Sequence, residues 1–187
     1  MMQDYSAYCL SICKDRTRDF LQGWDEKIAG IRTPIIMQGI MAKDITPPAR
    51  WEYGPGHWAC MMGHCKMVEQ AIYDNVDRAF FCEDDAIPIA DLSIDLPPGI
   101  IVLGSQYNLH GCRESYRRAI FADHGGWLYS ADRAGLDRLL SHLLGQLRLP
   151  WDMYWQEIGA MVANPSRGIL RDVVSSTASL LADPAKS

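Results

Sequence analysis

The sequence is poor in every feature that would take the protein out of the ordinary globular class. No apolar run approaches the roughly 20 residues of a membrane-spanning helix. The opening MMQDYSAYCLSICKDR carries an acid at Asp4 and only a short apolar stretch before Lys14. It lacks the basic start and long apolar core of a secretory signal, so the expected location is cytoplasmic. Close C-x-x-C pairs are also missing, and the six cysteines, Cys9, Cys13, Cys60, Cys65, Cys82 and Cys112, are expected as free thiols rather than a disulfide framework. Positive charge is in deficit: 18 Lys and Arg against 23 Asp and Glu give a net charge of −5. That balance excludes a protein that grips nucleic acid mainly by neutralising phosphates, though not an enzyme with a local basic patch. There is no internal repeat, low-complexity block or second-domain linker.

What remains is 187 residues, 48% hydrophobic and 22% charged. A chain of this size forms one domain and buries roughly 70% of the surface its unfolded form exposes. Residues 8–14 (YCLSICK) read as a short strand, followed by an amphipathic helix with Phe20, Leu21, Trp24 and Ile28 at helical spacing. Residues 33–39 read as a second strand, and 43–56, rich in Pro and Gly, as a loop. Residues 57–76 carry Trp58, Met61, Met62, Cys65, Val68, Ala71 and Ile72 at spacings of three and four, the pattern of a helix packed on a core. Strands are predicted at 79–82, 100–103, 118–123, 126–130 and 169–174, and helices at 131–147 and, after Pro150, at 151–162. Residues 178–187 read as a frayed tail. This alternation predicts an α/β sandwich with a mostly parallel central sheet flanked by helices, in which ligands bind beyond the carboxyl ends of the strands.

One such end is Ala79-Phe80-Phe81-Cys82, which runs into Glu83, Asp84 and Asp85. In an extended segment Glu83 and Asp85 project to one face and Asp84 to the other. Three adjacent carboxylates repel one another, so a cation or hydrogen-bond donors must offset them, and oxygen ligands suit Mg²⁺ or Mn²⁺. A solvated acidic turn or a helix cap has the same sequence. Upstream, His57, Cys60 and His64 fall at i, i+3 and i+7 of one helix, with Cys65 adjacent, a stripe compatible with zinc. No second ligand pair stands at standard spacing, which favours a packed helix with half-buried His and Cys. Gly54-Pro55-Gly56 feeds the helix N-terminus, where free N–H groups favour phosphate.

The run Gly56-His57-Trp58-Ala59-Cys60-Met61-Met62-Gly63-His64, a helix, and then Ala79 to Asp85 resembles the "G-E-I-G-C-x-x-S-H … L-x-L-E-D-D" core of the family 25 glycosyltransferases. These are the lipooligosaccharide and collagen galactosyltransferase-like enzymes. Leu10 to Arg18 sits where that family has its first strand and Arg-bearing turn. His124 to Gly135 resembles its "aromatic-x-x-S-x-x-G-A" segment, and Pro150-Trp151-Asp152 its "P-x-D". The match runs in order over most of residues 8–176. The chain departs from it at His57, where the family has Glu, at Ala59, where it has Gly, and at Gly63, where it has Ser. It is also short for the family.

The resemblance implies a GT-A, Rossmann-like fold that binds a nucleotide sugar, a UDP-hexose, through a divalent ion. It also implies inverting transfer of the hexose to an acceptor hydroxyl. On this reading Asp85, with Glu83 or Asp84, holds Mn²⁺ or Mg²⁺, and the ion bridges the diphosphate. Arg16 or Arg18 meets phosphate or the uracil-ribose unit, and Gly56, His57 and His64 lie on the nucleotide side. The required base is assigned to Asp152, which matches the family's P-x-D, with Asp123 and Glu157 in reserve. An Asp in the first turn of a helix also stabilises the helix dipole without any catalysis. His124 beside Gly125-Gly126 is a sugar-pocket candidate or a plain loop residue. Trp127, Trp151, Tyr154 and Trp155 offer sugar platforms, although aromatics at helical spacing are more often core.

Two further classes compete. The substitutions at His57 and Gly63 suit a catalytically inactive nucleotide-sugar or carbohydrate-binding module. His57, Cys60, His64 and Cys65 suit a zinc-stabilised interaction protein. The donor motifs do not distinguish a glycan, a protein side chain, a small molecule or a modified nucleobase as acceptor. Arg113, Arg117 and Arg118 with Tyr107 and Tyr116 form a basic, aromatic stretch that suits a phosphate-bearing acceptor or a surface loop.

Overall fold

The computed structural model describes residues 5–104, 115–120, 126–145, 150–163 and 166–170. The order is β1 (Ser6–Ser11), α1 (Lys14–Gly23), α2 (Glu26–Ala29), β2 (Ile35–Gln38), α3 (Pro55–Tyr73), β3 (Arg78–Glu83), β4 (Ala86–Pro88), β5 (Ile100–Val102), β6 (Tyr116–Arg118), β7 (Leu128–Asp132), α4 (Arg133–Gly145), β8 (Met161–Ala163) and β9 (Gly168–Leu170). Short 3-10 turns occupy Ala42–Asp44 and Trp151–Tyr154. None of the helices in the described residues is long and apolar enough to cross a membrane.

Seven strands form one sheet in the order β2-β1-β3-β7-β5-β8-β6. Five of them run the same way, while β7 and β6 oppose their neighbours. The expected mostly parallel α/β sheet is therefore present. Strand alternation divides two apolar layers. Tyr8, Leu10, Phe81, Val102 and Tyr129 face Met61, Cys65 and Val68 of α3 and Leu136, Leu139 and Leu143 of α4. Ala7, Cys9, Phe80, Cys82 and Ile101 face Phe20 of α1 and Ala29 of α2. Helix α3 lies close over β1, since a Cβ at Gly63 would stand 2.7 Å from Leu10 Cδ2. A serine there, as in the family pattern, has no room unless Leu10 moves.

The structure departs from the sequence reading at several places. The helix expected after β1 breaks at Trp24, which buries itself against Phe20 at 5.3 Å between ring centroids, and Asp25 starts α2 by accepting from Lys27 N at 2.9 Å. The helix expected at 151–162 is a 3-10 turn, a turn through Gly159 at φ +68°, and then β8. Its apolar spacing fits a helix, but pairing of Met161 and Val162 with Ile101 and Val102 of β5 and with β6 wins. The short β4 pairs with β9 and has no sequence signal, being three residues that include a proline. The strand expected at 118–123 is β6, which starts two residues earlier, at Tyr116. The parts of the predicted strands at 121–123 and 171–174, and the tail at 178–187, lie outside the described residues.

Candidate functional site

The chain leaves β1 for β2 on one side, then returns across β1 to lay down β3 on the other. The carboxyl ends of β1 and β3 therefore lie side by side, where open α/β sheets bind ligands. Leu10 pairs with Glu83, so Ser11 and Asp84 follow as neighbours. Ser11 donates to Asp84 Oδ2 at 2.6 Å and accepts from Thr17 Oγ1 at 2.8 Å. The expected alternation of 81–85 stops at Glu83, because residues 84 and 85 form a turn. That turn brings Asp84 and Asp85 onto the same guanidinium, correcting the separation of faces expected for an extended chain. Arg16 Nη2 pairs with Asp84 Oδ1 and, at 3.2 Å, with Asp85 Oδ2.

Both aspartates are buried. Burial raises the Asp84 carboxyl, against the Ser11 hydrogen bond and Arg16. Asp85 is pushed up to about 6 by burial and by the charge of Glu83, with Arg16 opposing. Asp85 Oδ1 is buried with no hydrogen-bond partner among the described residues. Three carboxylates against one guanidinium leave a local charge of −2. That deficit and the orphaned oxygen would accommodate a divalent ion, although the other three oxygens of Asp84 and Asp85 already meet Ser11 or Arg16.

Glu83 turns to α3. Its Oε1 lies 3.3 Å from His64 Nε2 and 3.7 Å from Cys60 Sγ. Burial works to raise its carboxyl, but the hydrogen bond and charge of His64, together with Arg16, hold it below the usual range. His64 Nδ1 stands 2.9 Å from the Tyr129 hydroxyl of β7. The Cys60 thiol is pushed well up by burial and by the charges of Glu83 and Asp152, with Asp85 adding to them. Asp152 is thus within electrostatic reach of the same cluster, although it comes from a distant turn. That turn is tied to the loop before α3 by Tyr53, whose hydroxyl donates to Met153 Sδ at 3.5 Å.

No family model and no curated protein matches the chain. Among solved structures it is similar to the one described as the crystal structure of A197 from STIV. The identity is 12% and the TM-score 0.46, over 92% of this chain and 96% of that one.

The remaining predicted residues divide by position. Arg18 turns along its own helix to Asp15 and Asp19, at 3.0 and 3.2 Å, away from the acidic turn. Gly56 lies in the first turn of α3. His57 packs edge-on against Tyr53 at 5.5 Å. Cys65 is in the core, so neither His57 nor Cys65 joins Cys60 and His64. Glu157 is exposed on the turn after the 3-10 segment. Trp127 and Trp155 are core residues, on opposite faces of the sheet. Asp123 and His124 lie outside the described residues, as do Arg113, Tyr107 and Cys112. Ser11, Thr17 and Tyr129 had no sequence signal of their own. The register of β1 against β3, and β7 lying beside β3, bring them in.

Proposed function

We propose that the protein is a metal-assisted glycosyltransferase of the family 25, GT-A type, moving a hexose from a nucleotide sugar, a UDP-hexose, to an acceptor hydroxyl with inversion. The observation that carries this reading is the acidic turn at the carboxyl end of β3, with an orphaned Asp85 oxygen beside other carboxylates. Asp85 and Asp84 would hold Mn²⁺ or Mg²⁺, and such an ion would supply positive charge to a departing diphosphate. Arg16 adds a second positive charge on the phosphate side, already held in place by the two aspartates. Ser11 and Thr17 fix Asp84 by the hydrogen-bond chain described above. At the N-terminus of α3, Pro55 has no N–H and His57 N donates to Gly54 O at 3.1 Å, so Gly56 would offer its backbone N–H to a phosphate. Asp152 takes the proton from the acceptor hydroxyl. The charge of Asp152 acts on Cys60, which supports a base near the acidic turn.

Titration calorimetry with UDP-hexoses tests the donor half. Binding is expected only with Mn²⁺ or Mg²⁺ present, and Asp85→Ala is expected to abolish it. Equal binding without a divalent ion, or an unchanged Asp85→Ala, overturns the assignment. A second reading, a nucleotide-sugar-binding protein without transfer, is favoured by Arg16 pairing with both aspartates, which makes a cation already present at the turn. Mass spectrometry of released UDP separates the two. Turnover that is lost in Asp152→Asn supports the enzyme, and nucleotide binding without any release supports the binding module.

A further inference from the structure

We infer that Cys60, His64 and Glu83 form a separate centre for a thiophilic divalent ion of the zinc class. Cys60 and His64 are four residues apart on α3, so they share one face of the helix. The end of β3 delivers Glu83 between them. Glu83 Oε1 lies 3.3 Å from His64 Nε2 and 3.7 Å from Cys60 Sγ, and the three ligand atoms all fall within 4.8 Å of one another. Tetrahedral zinc with bonds of about 2.3 Å to sulfur and about 2.0 Å to nitrogen and oxygen has N–O and S–O edges of roughly 3.3 and 3.5 Å. The side chains already stand at nearly these separations.

The surroundings suit a metal ligand set. The Tyr129 hydroxyl, 2.9 Å from His64 Nδ1, fixes the ring so that Nε2 faces Glu83. Tyr129 is itself immobilised, stacked on Phe81 at 4.9 Å and packed against Trp155 at 5.5 Å. A thiolate, a carboxylate and a neutral imidazole carry −2, which a divalent ion balances. On binding, the Cys60 thiol releases its proton to solvent, and the proton that His64 Nε2 donates to Glu83 leaves that nitrogen too, for Nδ1 or for solvent. Sulfur selects against Mg²⁺ and Mn²⁺, which prefer the oxygen-only set of Asp84 and Asp85. Three protein ligands leave a fourth position, and the Glu83 side chain is 30% exposed, so water or an exogenous ligand has access to it. This is the arrangement of open rather than structural zinc sites.

The chelator-treated full chain is titrated with Co²⁺. One equivalent is expected to produce a thiolate-to-cobalt charge-transfer band and the strong visible bands of tetrahedral cobalt, both erased by Zn²⁺ and not by Mn²⁺. Cys60→Ala is expected to lose the sulfur band, and Cys13→Ala, which removes an exposed thiol, to keep it. Tyr129→Phe is expected to weaken zinc binding about 10- to 100-fold. X-ray absorption of the zinc-loaded wild-type chain gives a reading independent of any variant: one sulfur at about 2.3 Å is expected. Absence of sulfur from the first shell, or a charge-transfer band that survives Cys60→Ala, overturns the proposal. Asp85→Ala is expected to leave the cobalt spectrum intact, so this centre and the nucleotide-sugar reading fail or stand separately.

Discussion

Asp85 is a buried carboxylate beside a second anion. Its folded carboxyl titrates at about 6, above the ordinary 3.8, because burial and Glu83 both penalise the anion. A raised carboxyl contributes stability that is complete below pH 4 and lost as the pH rises through about 6. In the metal-free protein, Asp85→Asn is therefore expected to raise stability at pH 7, by on the order of 2 kcal/mol, and to flatten the melting-temperature profile between pH 4 and 6. Thermal melts across that window check both. Protons compete for the same oxygens as the metal, so Mn²⁺ affinity is expected to fall as the pH drops below about 6, measured by calorimetry. Arg16 is the complement. Its side chain is 20% exposed and that of Asp84 4%, so Arg16→Ala leaves two buried carboxylates without their cation and is expected to destabilise by about 3 kcal/mol. Added Mn²⁺ should raise the melting temperature of that variant by more than it raises the wild type's. An equal or smaller shift would mean that the ion does not take Arg16's place.

Helix α3 shows how far local pattern reaches. Its existence and its core face follow from spacing, although it runs from Pro55 to Tyr73 rather than over the expected 57–76, and α4 follows in the same way from its leucines. The strands β1, β3 and β5 are visible as short apolar runs, and the acidic turn is visible as a break in one of them. The break of α1 from α2 is not legible, because the Trp24 ring and the Asp25 cap act through tertiary packing. The partner of Glu83 is hidden for a similar reason: His64 lies 19 positions earlier, and only the seating of α3 on the sheet brings them together. Tyr129 is further removed still, since it depends on β7 lying antiparallel beside β3. The seating itself rests on Gly63. Gly63→Ala places a methyl group 2.7 Å from Leu10 Cδ2, and overpacking of this kind costs about 1–3 kcal/mol. Better helix propensity returns only about 1 kcal/mol. Net destabilisation in urea unfolding is expected, together with weaker zinc binding if α3 shifts away from β3.

The sheet joins two unequal stretches of chain. Strands β1, β2 and β3 come from residues before 84, and β5, β6 and β8 from residues after 99. β7 bonds to β3 on one side and to β5 on the other. Amide exchange is expected to be slowest at Tyr8, Phe81 and Tyr129 and faster at the outer strand β2, where Ile35 is 57% exposed. Uniform protection across the sheet would contradict that ordering. The central place of β7 also governs the order of events during synthesis. Until residue 132 has left the ribosome, β3 presents the unpaired edge of Ala79-Phe80-Phe81-Cys82, an apolar template for another chain. Nascent chains stalled before residue 128 should therefore be sticky and depend on chaperones, whereas those released past residue 132 should lose that dependence as the gap closes.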